Sequence, residues 1–186
     1  MDETEVLALA QRIHKRRVYA HPGSLPARAS AEALIAQAYG LELTIDSYDG
    51  AMNLLLEDES GNVVTVVCYK TAEPSMKLRG AGAADASIFI FATGHAFDEV
   101  EVLGWLPATR IDAAPKIPIG SSQFEYELRK EFMFELPDTF NFVEPAFTEM
   151  PRVWNYEMGG WWTPTGYLYD AEAKRQIEQL DVQLAG

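Results

Sequence analysis

The hydrophobic pattern changes its period at Leu41, and this change constrains the fold more than any other feature of the sequence. From residue 41 to 48 apolar and polar side chains alternate, which is typical of a strand with one buried face. The dipeptide Asp49-Gly50 follows, and it favours a two-residue hairpin turn. Residues 51–57 are therefore predicted to return antiparallel to the first strand.

A run of β-branched residues comes after this hairpin and ends at a lysine. Residues 58–62 are predicted to be a polar turn. Residues 63–69, VVTVVCY, are predicted to be a central strand, because a nearly unbroken apolar run is typical of strands that are buried on both faces. Lys70 stands at the end of that strand. Three consecutive strands are thus predicted before residue 71.

Two helices are predicted ahead of the strands. Residues 3–19 repeat apolar side chains every three or four positions, and their early acids suit the positive end of the helix dipole. The second helix is predicted to begin between residues 24 and 27, with Pro26 in its first turn, and to end before Gly40 as its C-terminal cap. Its predicted buried stripe has four members, Ala31, Leu34, Ile35 and Ala38. Glu32 is predicted to be a surface acid beside that stripe.

The second half of the chain is predicted to continue the sheet. Residues 71–86 have neither period and are predicted to be a long connection. Strands are predicted at 87–91 and 99–106, and the prolines of 107–120 favour an extended or turning chain. Residues 124–136 alternate aromatic and charged side chains, which predicts a long amphipathic strand or one half of a bent hairpin.

Length and composition predict one domain with an aromatic extension. At 186 residues the chain is too short for a second full-sized domain. Residues 1–140 are predicted to form the domain, and 141–186 an acidic, aromatic extension that packs on it and ends in a helix over 171–184. Trp161 and Trp162 are predicted to cover the protein's own sheet rather than to stack on bases.

The charge distribution limits the class of partner. A net charge of −13 argues against broad, non-specific binding to nucleic acid, because phosphate neutralisation needs a positive face. Residues 12–28 differ from the rest, since they hold five bases and no acid. These bases are predicted to form a solvated helix face: Arg12, Lys15, Arg16, Arg17 and Arg28.

Membrane proteins and several kinds of site are excluded by what the sequence does not contain. No apolar run approaches the roughly 18 residues that span a bilayer, and acids precede bases at the start, so a cytoplasmic protein with no membrane partner is predicted. The single cysteine, Cys68, excludes an internal disulfide and a cysteine-based zinc cluster. His14, His21 and His95 have no partner at metal-ligand spacing and are predicted not to be ligands.

Several segments within residues 27–140 together carry a family resemblance. They are the helix ASAEALIAQAYG, the hairpin and strand DGAMNLLLEDESGNVVTVVCYK, the strand ADASIFIF, the strand end LGWLP and the segment EFMFELPDTFNF. In this order they resemble the PD-(D/E)XK nuclease superfamily, in particular its small phage-type or mobile-element members. The resemblance implies an α/β (α+β) fold with a restriction-endonuclease-like mixed central sheet flanked by helices.

The resemblance also implies a site at one edge of that sheet. Members of the superfamily hold Mg²⁺ with an Asp from one strand and the Glu of a Glu-X-Lys motif on the next, and the lysine orients or activates the water. Aligned strand to strand, the Asp position falls on Asn53 and the Glu position on Cys68. Lys70 and the helix acid Glu32 match the pattern. These four residues are the catalytic candidates.

The two departures leave three functions open. A neutral amide binds Mg²⁺ weakly and a thiol is too soft for it, which favours a nuclease-like protein with a degraded metal site. Such a protein would bind DNA or a nucleic-acid-processing protein, or regulate one. Alternatively, Asp46, Asp49 or Glu57 could act as relocated ligands in an active, Mg²⁺-dependent nuclease. The acidic composition leaves a third alternative, a phage-type interaction or inhibitor protein that binds a host protein.

Overall fold

A computed structural model of the chain gives a mixed α/β architecture. The structure describes residues 2–20, 23–44, 55–57, 63–73, 75–79, 86–119, 123–144, 152–155, 159–163, 166–172, 174–176 and 179. The helices are α1 (Glu3–Ala20), α2 (Pro26–Tyr39) and α3 (Ala108–Ala113). The strands are β1 (Glu42–Thr44), β2 (Leu55–Glu57), β3 (Val63–Tyr69), β4 (Ser75–Arg79), β5 (Ile88–Thr93), β6 (Glu101–Pro107), β7 (Lys116–Pro118), β8 (Phe124–Arg129), β9 (Val153–Asn155), β10 (Gly160–Thr163) and β11 (Gly166–Tyr169).

The largest sheet has five strands in the order β1-β2-β3-β5-β6. The pairs β1/β2, β2/β3 and β5/β6 are antiparallel, while β3 and β5 are parallel. Glu42 lies opposite Glu57, so the predicted antiparallel return of the second strand is confirmed. The predicted turn at Asp49-Gly50 lies outside the described residues. The central position predicted for residues 63–69 is also confirmed, since β3 has a partner on both edges.

Both faces of this sheet are covered, which explains why β3 has no polar face. On one face, Val64, Val66 and Ile90 pack in a cluster with residues of α2 such as Ile35. On the other face, the side chains of a second cluster come from β5, β6, α3 and β8: Phe89, Phe91, Leu106, Ile111, Tyr126 and Leu128. A strand buried on both sides needs apolar residues at consecutive positions, and the sequence of β3 provides them.

The two long helices follow the predicted bounds closely. The stripe of α1 is confirmed, with Val6, Ala10 and Ile13 buried. Gly40 ends α2 with φ of +65° and donates its N–H to the carbonyl of Ala36, as expected of a glycine cap. The buried residues of α2 are Ala27, Ala29, Ser30, Ala31, Glu32, Ala33, Ile35 and Ala36.

The predicted stripe of α2 was therefore partly wrong. Leu34 is 41% exposed and Ala38 is exposed, whereas Ala31 and Ile35 are buried as predicted. The reason is that α2 packs against both α1 and the sheet, so its buried face is wider than one stripe. Small residues fill that wider face because two neighbours approach the helix closely.

Two regions predicted to be irregular contain regular structure. Within residues 71–86, predicted to be a connection, β4 pairs antiparallel with β8 in a second sheet of order β4-β8-β7. Within 107–120, α3 occupies the proline-free stretch between Pro107 and Pro115. The strand predicted over 124–136 ends earlier than expected. A 3-10 turn at Lys130–Phe132 follows β8.

After the 3-10 turn, the chain returns to the main sheet at an isolated backbone pair between two residues. Phe134 pairs antiparallel with Trp105 of β6, and the two residues exchange backbone hydrogen bonds of 2.9 and 3.0 Å. The indole N–H of Trp105 donates to the carbonyl of Glu135 at 3.0 Å. This bridge attaches the segment after β8 to the edge strand β6.

The aromatic segment after residue 150 contains a third, antiparallel sheet of order β11-β10-β9. Trp154 and Trp161 lie opposite each other across β9 and β10, with ring centroids 5.0 Å apart. The guanidinium of Arg152 lies 4.5 Å from the ring of Trp161. The division at residue 140 stays a prediction. Among the described residues, no helix is both long and apolar enough to cross a bilayer.

Candidate functional site

Charged side chains from the two long helices meet near the carboxyl-terminal end of β3. Glu32 of α2 is fully buried, so the prediction of a surface acid was wrong. Its Oε1 accepts a hydrogen bond of 2.5 Å from Nη2 of Arg17, at the end of α1. The Nε of Arg28, one turn earlier on α2, lies 3.3 Å from the same oxygen. We call Arg17, Arg28 and Glu32 the arginine–glutamate cluster.

The predicted basic face of residues 12–28 is therefore divided between solvent and interior. Arg12, Lys15 and Arg16 are exposed, as predicted. The side chain of Arg17 is only 5% exposed and that of Arg28 16%, so for these two the prediction was wrong. A charged side chain is found this deep in a protein only when a counter-charge accompanies it, and Glu32 is that counter-charge.

The sequence contains a signal for these contacts, although sequence reasoning missed them. Position 17 continues the helical series 6, 10 and 13 that forms the buried stripe of α1, which places an arginine on that stripe. Arg28 and Glu32 are four residues apart, the spacing at which opposite charges meet on a helix. The contact between Arg17 and Glu32 joins two helices and has no local pattern.

The electrostatics of the cluster follow from burial. Burial lowers the pKa of Arg28; the carboxylate of Glu32 acts in the opposite direction, and the charge of Arg17 lowers that pKa further. A guanidinium titrates so far above neutrality that Arg28 stays charged at pH 7. Breaking such a buried ion pair is costly, because the partner left behind is a buried charge with no compensation.

The ion pair between Arg17 and Glu32 leaves two buried atoms unsatisfied. Neither Nη1 of Arg17 nor Oε2 of Glu32 has a hydrogen-bond partner in the part of the chain that the structure describes. One of these atoms is a donor and the other an acceptor, and both belong to the same ion pair. Buried polar atoms without partners are rare in proteins and often mark a site where a water, an ion or a ligand completes the contacts.

Cys68 lies next to the cluster, at the position that the resemblance assigns to a metal-binding glutamate. Burial raises the pKa of its thiol from 9.0 to about 11; the charge of Arg28 lowers that pKa in part, and the charge of Glu32 raises it. The Sγ donates to the carbonyl of Tyr69 at 3.7 Å. At neutral pH the residue is therefore a protonated, partly buried thiol. A free thiol of this kind behaves as a small apolar side chain.

We expect Cys68 to react slowly with alkylating reagents. A pKa near 11 instead of 9.0 makes the thiolate about a hundredfold scarcer at pH 8, and only the thiolate attacks iodoacetamide. The rate of carbamidomethylation of the native protein should therefore be at least about a hundredfold below that of the urea-unfolded chain. Cys68→Ser provides the blank. Equal rates in the native and unfolded protein would contradict the buried, protonated thiol.

Lys70 follows β3 directly and is exposed. The preceding residue is held in place, because the carbonyl of Tyr69 accepts a hydrogen bond of 3.0 Å from the N–H of Gly94. A long cationic side chain at the exposed end of a fixed central strand can reach a partner in solution. Lys70 lies two residues along the chain from Cys68, whose thiol is affected by the charges of the arginine–glutamate cluster.

The other sequence candidates contribute no described side chain to this site. Asn53, Asp46 and Asp49 lie outside the described residues, so their predicted roles as metal-position residue and relocated ligands stay predictions. The backbone of Glu57 pairs with Glu42 and Val63, and its side chain is not described. Its role as a relocated ligand also stays a prediction.

The two described histidines differ in their surroundings, and His14 lies close enough to the cluster to be affected by the charge of Arg17. His14 packs edge-on against Phe97 with ring centroids 5.4 Å apart. Burial lowers the pKa of His14, and the nearby charge of Arg17 lowers it further. His95 is exposed in the turn between β5 and β6, and His21 lies outside the described residues.

The described side chains at the end of β3 do not fit Mg²⁺. Hard cations need several oxygen ligands, and one oxygen of Glu32 already holds two guanidinium groups. Cys68 offers a protonated sulfur, which is a poor ligand for Mg²⁺. Nowhere in the described ranges do three His, Cys, Asp or Glu side chains come together as a metal site. Positive charge, rather than a set of carboxylates, dominates this part of the structure.

Comparison of the chain with models of known protein families and with curated proteins gives no match.

Proposed function

We propose that the protein is a restriction-endonuclease-like member of the PD-(D/E)XK superfamily that binds nucleic acid without hydrolysing it. The observation that carries this proposal is the state of Glu32, the helix acid that the resemblance assigns to the active site. Its Oε1 is engaged by Arg17 and Arg28, so this carboxylate neutralises arginines instead of offering its charge to a metal ion.

The arrangement of the main sheet supports the fold part of the proposal. Two helices precede an antiparallel run of three strands, and the third of these strands then pairs parallel with β5. The helix that carries Glu32 packs against β3, the strand that carries Cys68 and leads to Lys70. Glu32, Cys68 and Lys70, three of the four motif positions of the resemblance, thus belong to α2 and to the end of β3, two elements that pack on each other.

The local charge supports nucleic acid as the partner. Although the net charge is −13, Lys70 is exposed at the end of β3, the strand on which α2 packs with Arg28. The positive region at this end of the strand is small, so few phosphates can be contacted there at once. Affinity should be modest and should fall with salt by a shallow slope, since the slope reports the number of phosphates neutralised.

The decisive test combines binding with cleavage. Purified protein is titrated against fluorescently labelled single- and double-stranded oligonucleotides over a range of salt concentrations. The same preparations are incubated with Mg²⁺ and with Mn²⁺, and the products are separated on a denaturing gel. The proposal expects binding in the first assay and intact oligonucleotide in the second.

Lys70→Ala is expected to weaken this binding about three- to tenfold. Loss of one phosphate contact should also reduce the slope of log affinity against log salt by about 1. Lys77→Ala is the matched control, because Lys77 is likewise exposed but lies on β4 in the second sheet. Its affinity should equal that of the wild type.

Two results would overturn the proposal. If the wild type cuts nucleic acid with Mg²⁺ or Mn²⁺ and Lys70→Ala abolishes the cutting, the protein is an active nuclease with relocated carboxylates. If no oligonucleotide binds at low salt, the nucleic-acid partner is wrong. In that case the acidic surface becomes the feature to test against protein partners.

A further inference from the structure

The unsatisfied atoms of the arginine–glutamate cluster indicate which kind of chemical group the cluster binds. Arg17 uses Nη2 for Glu32 and keeps Nη1 buried without an acceptor among the described residues. Glu32 uses Oε1 for both arginines and keeps Oε2 buried without a donor in the same set of residues. A ligand that completes this site must therefore accept one hydrogen bond and donate another.

We propose that the cluster binds a phosphate monoester that carries one proton, with Arg17 as donor to a phosphate oxygen and Glu32 as acceptor from the phosphate hydroxyl. This proposal rests on the proposed function and deepens it, because the same end of β3 would recognise a terminal phosphate. Guanidinium groups bind phosphate oxygens through short, charge-assisted hydrogen bonds. A phosphodiester within a strand has no hydroxyl to give to Glu32.

Charge favours this ligand over a cation. A cation would have to approach a carboxylate whose other oxygen already pairs with two guanidinium groups, whereas an anion is attracted by both. The cluster reaches solvent through Arg28, whose side chain keeps 16% of its surface exposed, whereas the unsatisfied atoms of Arg17 and Glu32 are themselves buried. Lys70 is exposed and follows β3, the strand that contains Cys68. A nucleic-acid end held by Lys70 would bring its terminal phosphate towards Arg28.

The first experiment uses inorganic phosphate as the probe. Thermal unfolding of the wild type is followed in phosphate and in chloride at equal ionic strength. We expect phosphate to raise the unfolding temperature in a saturable way, by roughly 5 °C or more when it exceeds its dissociation constant a hundredfold. A single bridging water would satisfy the same two atoms, and then phosphate would raise the unfolding temperature only in the non-saturable way expected of a salt that is excluded from the protein surface. That result would overturn the proposal.

The variant that tests the geometry is Arg17→Lys. A lysine keeps the charge that pairs with Glu32 but has one nitrogen in place of two, so it should preserve the fold and lose the phosphate contact. Phosphate should bind at least tenfold more weakly to Arg17→Lys, the factor expected for one charge-assisted hydrogen bond. Arg16→Lys is the matched control, since Arg16 is the neighbouring, exposed arginine. Arg28→Met at the open side of the cluster is a second variant, with the same expected loss.

The second experiment separates a free phosphate from the end of a nucleic acid. The same oligonucleotide is titrated with and without a terminal phosphate. We expect the phosphorylated form to bind the wild type about tenfold more tightly, Arg17→Lys to bind both forms equally, and Lys70→Ala to weaken both forms by the same factor. Equal binding of the two forms by the wild type, still dependent on Lys70, would overturn the phosphate site and leave the proposed function standing. Binding of neither form would overturn the proposed function.

Discussion

Glu32→Gln is expected to lower the free energy of unfolding by about 3–5 kcal/mol, because it removes the charge that compensates the buried Arg17 and the partly buried Arg28. Glutamine has nearly the same shape as glutamate, so the lost free energy reflects the missing charge and not a change in packing. Arg17, whose side chain is 5% exposed, cannot reach water without moving α1. For a chain of this length the change corresponds to a fall in unfolding temperature of roughly 6–20 °C. Urea and thermal denaturation followed by circular dichroism measure both quantities.

Two further variants make this expectation specific. Glu73→Gln removes a charge of the same kind from an exposed position and should stay within about 0.5 kcal/mol of the wild type. The triple variant Arg17→Met/Arg28→Met/Glu32→Leu replaces the whole cluster by apolar residues and should recover most of the stability, since apolar packing can replace a buried ion pair. A Glu32→Gln protein as stable as the wild type would show that the arginines do not depend on this carboxylate.

Gly104→Ala is expected to have the second large effect, about 2–5 kcal/mol of lost stability. Gly104 lies in β6 with φ of +146°, a conformation that costs an L-residue of order 1–3 kcal/mol. A Cβ there would also stand 2.6 Å from the carbonyl oxygen of Phe134 and 2.9 Å from the Cβ of Met133. These contacts can be relieved only if the backbone at Met133 and Phe134 moves, and this movement adds a strain of about 1–3 kcal/mol.

The bridge at Trp105 is the structure that Gly104→Ala should weaken. The two backbone hydrogen bonds between Trp105 and Phe134 depend on the close approach that glycine permits. Amide hydrogen exchange of these two residues should therefore accelerate more than that of β3. Gly23→Ala is the matched control, since a Cβ at Gly23 meets nothing within 4 Å. If both variants unfold at the wild-type urea concentration, the close packing of Gly104 against the bridge is wrong.

Local patterns predicted the elements that local physics specifies. The apolar series of α1, the proline and glycine at the two ends of α2 and the β-branched run of β3 each identified an element within a few residues of its observed bounds. These signals work because helix periodicity, cap conformation and burial on both faces act over a short stretch of chain. No knowledge of distant partners is needed for them.

Elements that depend on distant partners were missed or misjudged. β4 has five residues, too few to establish a period, and it is a strand because β8 lies beside it about fifty residues later in the chain. Leu34 was predicted to be buried because the stripe pattern assumes that a helix packs on one side only. The observed burial of α2 reflects two neighbours, α1 and the sheet. The placement of neighbours is a property of the whole fold.

In the candidate site, too, the sequence indicated the residues but not the contacts between distant parts of the chain. The sequence alone singled out Glu32, Cys68 and Lys70, because its resemblance to a nuclease superfamily predicts that they lie at motif positions. The same resemblance predicts a carboxylate at the position of Cys68. Only the tertiary structure decided that Glu32 is buried and that Arg17 and Arg28 share its oxygen.

The sequence by itself thus determined the helices α1 and α2, the central strand β3 and the residue types at its end. Tertiary structure decided what those residues do to one another. The physical reason is that periodicity and capping are set by neighbours along the chain, whereas the charge state, burial and partners of a side chain are set by neighbours in space. Arg17 and Glu32 are fifteen residues apart, and it is the packing of α1 on α2 that brings their side chains within 2.5 Å.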